Sequence, residues 1–283
     1  MIQTISERVF KNGGITRKDI NNVIDKTLRN FDSYRGFQKV RDLVADFCKA
    51  TRKRDRGEIL VALGTIGWNG LFDAGDIAMI LLDYEDRNRG VSLALDKLAR
   101  WEASYKANME DVKVLRLGAK QVLPKKWNVA FSVQAENIEM DIDCGKRKNF
   151  YPIGVSGTGN IYAFLKMLLM VRPLLKPRGL KFDYETLDTI EGVWSMGESK
   201  IAYGERGYTG AEMLKRDKAF KNYFGNYALP DEVKEVILDC LQDGIDKVQY
   251  GVGQDYEGNS YNGLKYKPIP EKGLWLGARK KVA

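Results

Sequence analysis

Residues 138–150 read IEMDIDCGKRKNF. Apolar and acidic residues alternate here with period two, while most of the chain spaces its apolar residues at helical intervals. In an extended segment this puts Ile138, Met140, Ile142 and Cys144 on one face and Glu139, Asp141 and Asp143 on the other. A second alternating run, Trp127, Val129, Phe131 and Val133, precedes it across the short connection QAEN. The two runs predict a β-hairpin embedded in a helical chain. The acidic face has two readings. Asp141 and Asp143 would hold Mg²⁺ if further carboxylates converge on them. Otherwise the face is solvated or paired with neighbouring cations, and the GKRK end adds positive potential.

Outward from the hairpin, helix signals dominate. Thr16 with Asp19 forms a capped start, and Ile20, Val23, Ile24, Leu28 and Phe31 make one apolar stripe. Phe37, Val40, Val44 and Phe47 make a second. Apolar segments over 58–68 and 76–84 follow, the first broken by Gly64 and Gly67. Ser92 is the expected cap of a helix through residue 108. Beyond the hairpin, residues 150–160 read as a loop of Gly and Pro. Helices are expected over 161–175, 183–194, 209–224 (stopped by Gly225) and 231–246. The run 161–175 is too short to span a bilayer and carries Lys166, Arg172 and Pro173.

The predicted fold class is mainly α: two helical lobes, a small central β-hairpin, and extended N- and C-terminal arms. The expected boundaries are an arm over 1–11, a lobe with the hairpin over 12–149, a second lobe over 150–248, and an arm over 249–283. The last stretch is rich in Gly and Tyr, lacks helical periodicity, and needs a surface to lie on. Ile2, Ile5, Val9 and Phe10 in the first arm, and Leu274, Trp275 and Leu276 in the last, are the expected oligomerisation contacts.

The chain contains no histidine among its 283 residues. That removes His-activated nucleophiles, His acid–base pairs and His-ligated metal sites. Carboxylates with Mg²⁺, lysine chemistry, or no catalysis remain. Cys48, Cys144 and Cys240 are too far apart in sequence for a paired metal motif. They are expected to be buried free thiols in a reducing compartment. The first residues, MIQTISERVF, lack the apolar core of a secretory signal.

The formal net charge is +8, which points to a polyanionic partner. Five basic clusters carry it: Lys49, Arg52, Lys53, Arg54, Arg56; Lys113, Arg116, Lys120, Lys125, Lys126; Lys146, Arg147, Lys148; Lys166, Arg172, Lys176, Arg178, Lys181; and Lys215, Arg216, Lys218, Lys221. Phosphates demand such cations, and counterion release drives the binding. Trp127, Phe150, Tyr151, Tyr203, Tyr208 and Tyr223 lie beside them. Unpaired bases stack on rings of this kind, although core packing is the preferred reading for each ring taken singly. The loop GVSGTGN, residues 154–160, precedes a helix but lacks a Walker Gly-Lys-Ser/Thr, so it is a plain loop or at most a one-phosphate contact.

The segment SLALDKLARWEASYKANMED, residues 92–111, resembles bunyavirus nucleoproteins of the orthobunyavirus branch. Leu98-Ala99-Arg100-Trp101 is similar to that family's Leu-Ala-Arg-Trp, with Tyr105 and Lys106 following. Phe150-Tyr151-Pro152-Ile153-Gly154 resembles its Phe-Tyr-Pro-Leu segment, and Phe220 with Tyr223-Phe224-Gly225 its Phe-x-x-x-Phe-Gly. The resemblance implies two helical lobes whose basic cleft sequesters single-stranded RNA, with terminal arms docking onto adjacent protomers. Arg100 and Trp101 would then sit near the cleft, or Trp101 inside the helix packing.

The expected function is a non-enzymatic viral nucleoprotein, without a cofactor or metal, that encapsidates genomic RNA in virions and host cytoplasm. The expected RNA contacts are Arg52, Lys53, Arg54, Arg100, Lys125, Lys126, Trp127, Lys146, Arg147, Lys148, Arg172, Lys176 and Arg178. Expected partners are single-stranded RNA and further copies of the chain in a ring or filament, with a viral polymerase as a further candidate and no membrane insertion. The alternatives are the coat protein of a flexuous filamentous virus and a Mg²⁺-dependent nuclease using Asp141 and Asp143.

Overall fold

A computed structural model describes residues 1–30, 36–69, 72–83, 87–134, 137–145, 152–204, 207–216, 218–254 and 260–270. They form a mainly helical protein with eleven α-helices among the described residues, a three-stranded sheet and a two-stranded one. The chain divides into two units: Met1–Met109 with Ser132–Asn137, and Glu110–Phe131 with Ile138–Ala283. The division falls inside a helix, whereas the sequence placed it in the glycine-rich loop near residue 150. The hairpin strands bury their apolar face in the second unit's core, so most of the hairpin goes with that unit. No described helix is long and apolar enough to cross a membrane.

The first unit is built around α4 (Lys53–Trp68), with α1 (Ile2–Lys11), α2 (Arg17–Arg29), α3 (Gly36–Lys49) and α5 (Phe72–Asp83) packed on it. Leu60, Val61, Leu63, Gly64, Thr65 and Ile66 are all buried, so α4 is enclosed on every side rather than amphipathic. Its glycines let the neighbours approach. A Cβ on Gly64 would lie 2.8 Å from Ile5 Cδ1, and one on Gly67 2.5 Å from the Gly75 amide of α5. The capping box at Thr16 is present, with the Asp19 amide donating to Thr16 Oγ1 at 3.1 Å and the Thr16 amide to Asp19 Oδ2 at 3.0 Å.

Residues 1–11 are not an extended arm. They form α1, and its Ile5 and Val9 are buried in the core of their own unit against Gly64 and Gly57 of α4. Ile5 and Val9 are therefore unavailable to a neighbouring subunit. Apolar residues at helical spacing found a partner face on their own unit, which the sequence alone did not reveal. Ile2 is half-buried, and Phe10 is exposed with the Arg17 guanidinium 5.1 Å from its ring centre.

Helix α6 (Arg87–Val122) is 36 residues long, roughly 54 Å at 1.5 Å per residue. Ser92 lies inside it and caps nothing. Ala94, Leu98 and Trp101 are buried in the first part and Val112, Leu115, Ala119 and Val122 in the second. The polar stretch between these sets suggested an end, yet it contains no helix breaker.

The second unit opens with β1 (Asn128–Gln134) and β2 (Asn137–Asp143), the expected hairpin. Ile138, Met140 and Ile142 are fully buried, while Glu139 and Asp141 are half-buried and Asp143 exposed, as the alternation requires. The segment read as a loop supplies a third strand, β3 (Ile153–Ser156), antiparallel to β2 with Met140 opposite Val155. Its buried Ile153 and Val155 were too few for a periodic signal.

Helix α7 (Thr158–Leu175) is the core of this unit, with α8 (Tyr184–Ala202) and α11 (Asp231–Gly244) beside it; α9 (Gly210–Lys215) and α10 (Lys218–Gly225) complete the helical layer. Phe164 and Trp194 meet edge to face with centroids 5.6 Å apart. Helix α8 continues past the expected end at residue 194, because Gly197 is a packing site: a Cβ there would lie 2.7 Å from Leu238 and Leu241. The helix expected over 209–224 is two helices.

The segment after residue 244 is not structureless. It forms the antiparallel pair β4 (Ile245–Gln254) and β5 (Ser260–Tyr266). The end of β5 is tied to its own unit: the Tyr266 hydroxyl donates to Glu198, and the Lys267 amide to the Gly244 carbonyl at 2.9 Å. Leu274, Trp275 and Leu276 lie outside the described residues.

Candidate nucleic-acid interface

In the first unit two of the five cations of the basic cluster around the start of α4, Arg52 and Arg54, are paired with carboxylates. Arg52 grips Asp55 through two hydrogen bonds of 2.8 and 3.0 Å. Arg54 donates to Glu58 at 3.0 Å and to Asp19 at 3.2 Å. These exposed pairs offset the charge of those two arginines. Lys53 and Arg56 make no ion pair among the described residues and border a cavity of about 360 Å³ floored by Val9, Phe47 and Leu60. Arg100 is exposed on α6, while Trp101 is 4% exposed and meets Phe37 edge-on at 5.1 Å. Of the two readings for Trp101, the structure has the packed one.

In the second unit, groups up to 55 residues apart in sequence come together. The Arg172 guanidinium, near the end of α7, donates to the carbonyl of Val122, the last residue of α6. The same guanidinium sits 4.7 Å from the Phe182 ring centre, and Phe182 packs on Trp127 at 5.2 Å. Burial pulls the Arg172 pKa down, yet an arginine remains charged. Trp127 is 8% exposed, so it is floor rather than a free stacking face.

Around this floor lie the cations. Lys120, Lys125 and Lys126 precede Trp127 in sequence, and Lys176 and Lys181 precede Phe182; all five are exposed and make no ion pair among the described residues. Arg178, on the 3-10 turn Lys176–Arg178, donates to Glu232 at 3.1 Å and to the Leu174 carbonyl at 3.0 Å, so its charge is partly matched. Arg116 lies 5.8 Å from the Phe131 ring centre, and Lys113 pairs with Glu110 at 2.6 Å. A Cβ on Gly145, the residue before Lys146, Arg147 and Lys148, would approach the Lys126 carbonyl to 3.9 Å. Those three lie outside the described residues, as do Phe150 and Tyr151.

The acidic face of β2 has no convergence of ligands. Asp143 Oδ1 accepts from the Gly145 amide at 2.8 Å, and Asp141 is paired in register with Gly154. Among the described residues no three Cys, Asp or Glu side chains gather as a metal site would require. Asp231 and Glu232 open α11, where carboxylates suit the helix dipole. Cys144 is half-buried, and burial, with Asp143 and Asp183 nearby, pushes its thiol up to about 11. Cys240 is pushed to about 11 as well, chiefly by burial. Cys48 is exposed, against the expectation of a buried thiol.

No family model, curated protein or solved structure matches this chain.

Proposed function

We propose that this chain is a non-enzymatic, single-stranded-RNA-binding nucleoprotein that engages the phosphate backbone with the basic face of its second unit. The supporting observation is that the Trp127–Phe182 and Arg172–Phe182 contacts bring together two chain segments that carry Lys125 and Lys126, and Lys176 and Lys181, all exposed and without an ion pair among the described residues. Lysines facing a flexible polyanion give salt-sensitive binding with little sequence preference. Assembly with further copies is assigned to the C-terminal residues Leu274, Trp275 and Leu276, beyond the tie of Tyr266 to its own unit.

The test is binding of a labelled single-stranded RNA to the purified chain and to the Lys125→Glu/Lys126→Glu/Lys176→Glu variant. Wild type should bind with a logarithmic salt slope near −0.7 per neutralised phosphate. The variant should lose about two to three phosphates' worth of that slope. Equal affinity and slope in both proteins would remove this face from the RNA contact. Protein purified from cells should carry nucleic acid, seen as a raised ratio of absorbance at 260 to 280 nm. Removing residues 271–283 should reduce the particle size on gel filtration and leave a folded RNA-binding protein.

A further inference from the structure

The second unit has another face on which cations and exposed aromatic rings are interleaved. Helix α8 ends at Ala202 with Tyr203 as its cap, and Lys200 lies one turn before it. The Lys200 ammonium is 4.5 Å from the ring centre of Tyr223 on α10. The Arg216 guanidinium, at the end of α9, lies 3.5 Å from the ring centre of Tyr208. Tyr203 is 52% exposed and Tyr223 46%, whereas Trp127, Phe164 and Trp194 elsewhere in this unit are buried.

The surroundings are open. A Cβ added at Gly204, Gly207 or Gly225 would meet no described atom within 4 Å. Lys215 and Lys221 add exposed charge from α9 and α10. Two nearby carboxylates are engaged by backbone: Glu212 accepts from the Thr209 amide at 2.8 Å as a helix cap, and Asp239 from the Gly210 amide at 2.5 Å. Glu205, Arg206, Asp217 and Lys218, of whose side chains nothing is described, contribute no net charge by sequence.

We propose that Tyr203 and Tyr223 form a base-stacking site for single-stranded nucleic acid, with Lys200, Lys215, Arg216 and Lys221 holding the adjacent phosphates. Half-exposed rings with cations beside them match a ligand whose repeating unit carries a flat π face and a negative charge. An acidic polypeptide would match the cations but leave the rings without a purpose. At the Trp127 floor Trp127 is buried and Phe182 half-buried beside the Arg172 guanidinium, so it offers charge rather than an open stacking face. This site therefore supplies the base contacts that the basic face lacks, and the inference rests on the RNA-binding reading above.

The experiment compares two labelled strands of equal length and backbone, an oligoadenylate and an abasic oligomer, against the full chain. The variants are Tyr203→Ala/Tyr223→Ala and Tyr203→Phe/Tyr223→Phe. The alanine pair should bind oligoadenylate at least about tenfold more weakly, with the abasic strand bound as by wild type. The phenylalanine pair should retain wild-type affinity for both. An alanine pair that binds oligoadenylate like wild type, or loses both strands equally, overturns the stacking site while the backbone reading stands. A wild type that binds neither strand sinks the RNA reading and this one with it. Polyglutamate bound by wild type and lost in the alanine pair, with oligoadenylate unaffected, would make the face a protein-docking surface and also overturn the proposal.

Discussion

Arg172 donates a hydrogen bond to the carbonyl of Val122, 50 residues earlier in the chain. The arginine satisfies a carbonyl that the end of α6 leaves without a helical partner, and its charge suits the negative end of the helix. One side chain thereby fastens the end of α7 to the turn that carries Lys125 and Lys126. The basic face exists because of this tie and the Phe182–Trp127 packing beside it.

Replacing Arg172 with alanine removes a charge-assisted hydrogen bond from a half-buried site. The expected cost is about 1.5–3 kcal/mol, read as a lowered midpoint in urea. Arg172→Lys should recover only part of it, since an ammonium cannot both reach the carbonyl and cover the Phe182 ring as a planar group does. An alanine variant as stable as wild type would show that the contact contributes nothing.

The first helix is expected to behave as core. Ile5→Ala should cost about 2–5 kcal/mol, because Ile5 is fully buried and the cavity is walled by α4. Deleting residues 1–11 should expose that face of α4 and lower the thermal midpoint of the first unit. A deletion that left stability untouched while dissolving an oligomer would restore the arm that the sequence first implied.

The α8 carboxylates should make stability depend on pH. Burial raises the pKa of Glu198, offset in part by hydrogen bonds from Tyr266 and Asn160, and burial likewise raises Glu191. A carboxyl whose folded pKa exceeds its unfolded value stabilises the fold fully below the unfolded pKa. That contribution is lost as pH rises through the folded pKa. Wild type should therefore lose stability relative to Glu198→Gln as pH climbs from about 4.5 upward, and the difference should level off once Glu198 is ionised. Denaturant titrations of both proteins across that range check it; parallel curves at every pH would contradict it.

The three thiols should separate by reactivity. Cys144 and Cys240, with pKa values of about 11, are almost wholly protonated at neutral pH and hence poor nucleophiles. Cys48 is exposed. A thiol reagent at pH 7.5 should label Cys48 first, and the other two should follow only on unfolding. Mass-spectrometric mapping of the labelled sites reads the order, and rapid labelling of Cys240 would refute the burial argument.

The sequence by itself determined what depends on neighbours a few positions apart. The period-two run over 138–144, the Thr16–Asp19 capping box, the stripe of α3 and the Gly225 stop are local patterns, so they were legible without a fold. The total charge and the absence of histidine are likewise properties of the chain alone. Tertiary structure decided everything that needed a partner from elsewhere. It turned the apolar N-terminal residues into a helix seated on the glycines of α4, and made a third strand from Ile153 and Val155. It also brought Asp19, 35 residues away, to Arg54 while leaving Lys125 and Lys126 without an ion pair among the described residues. Whether a cation meets a counter-charge from another element, or a ring keeps an exposed face, is set by side chains dozens of residues away. Periodicity carries no information about those distances.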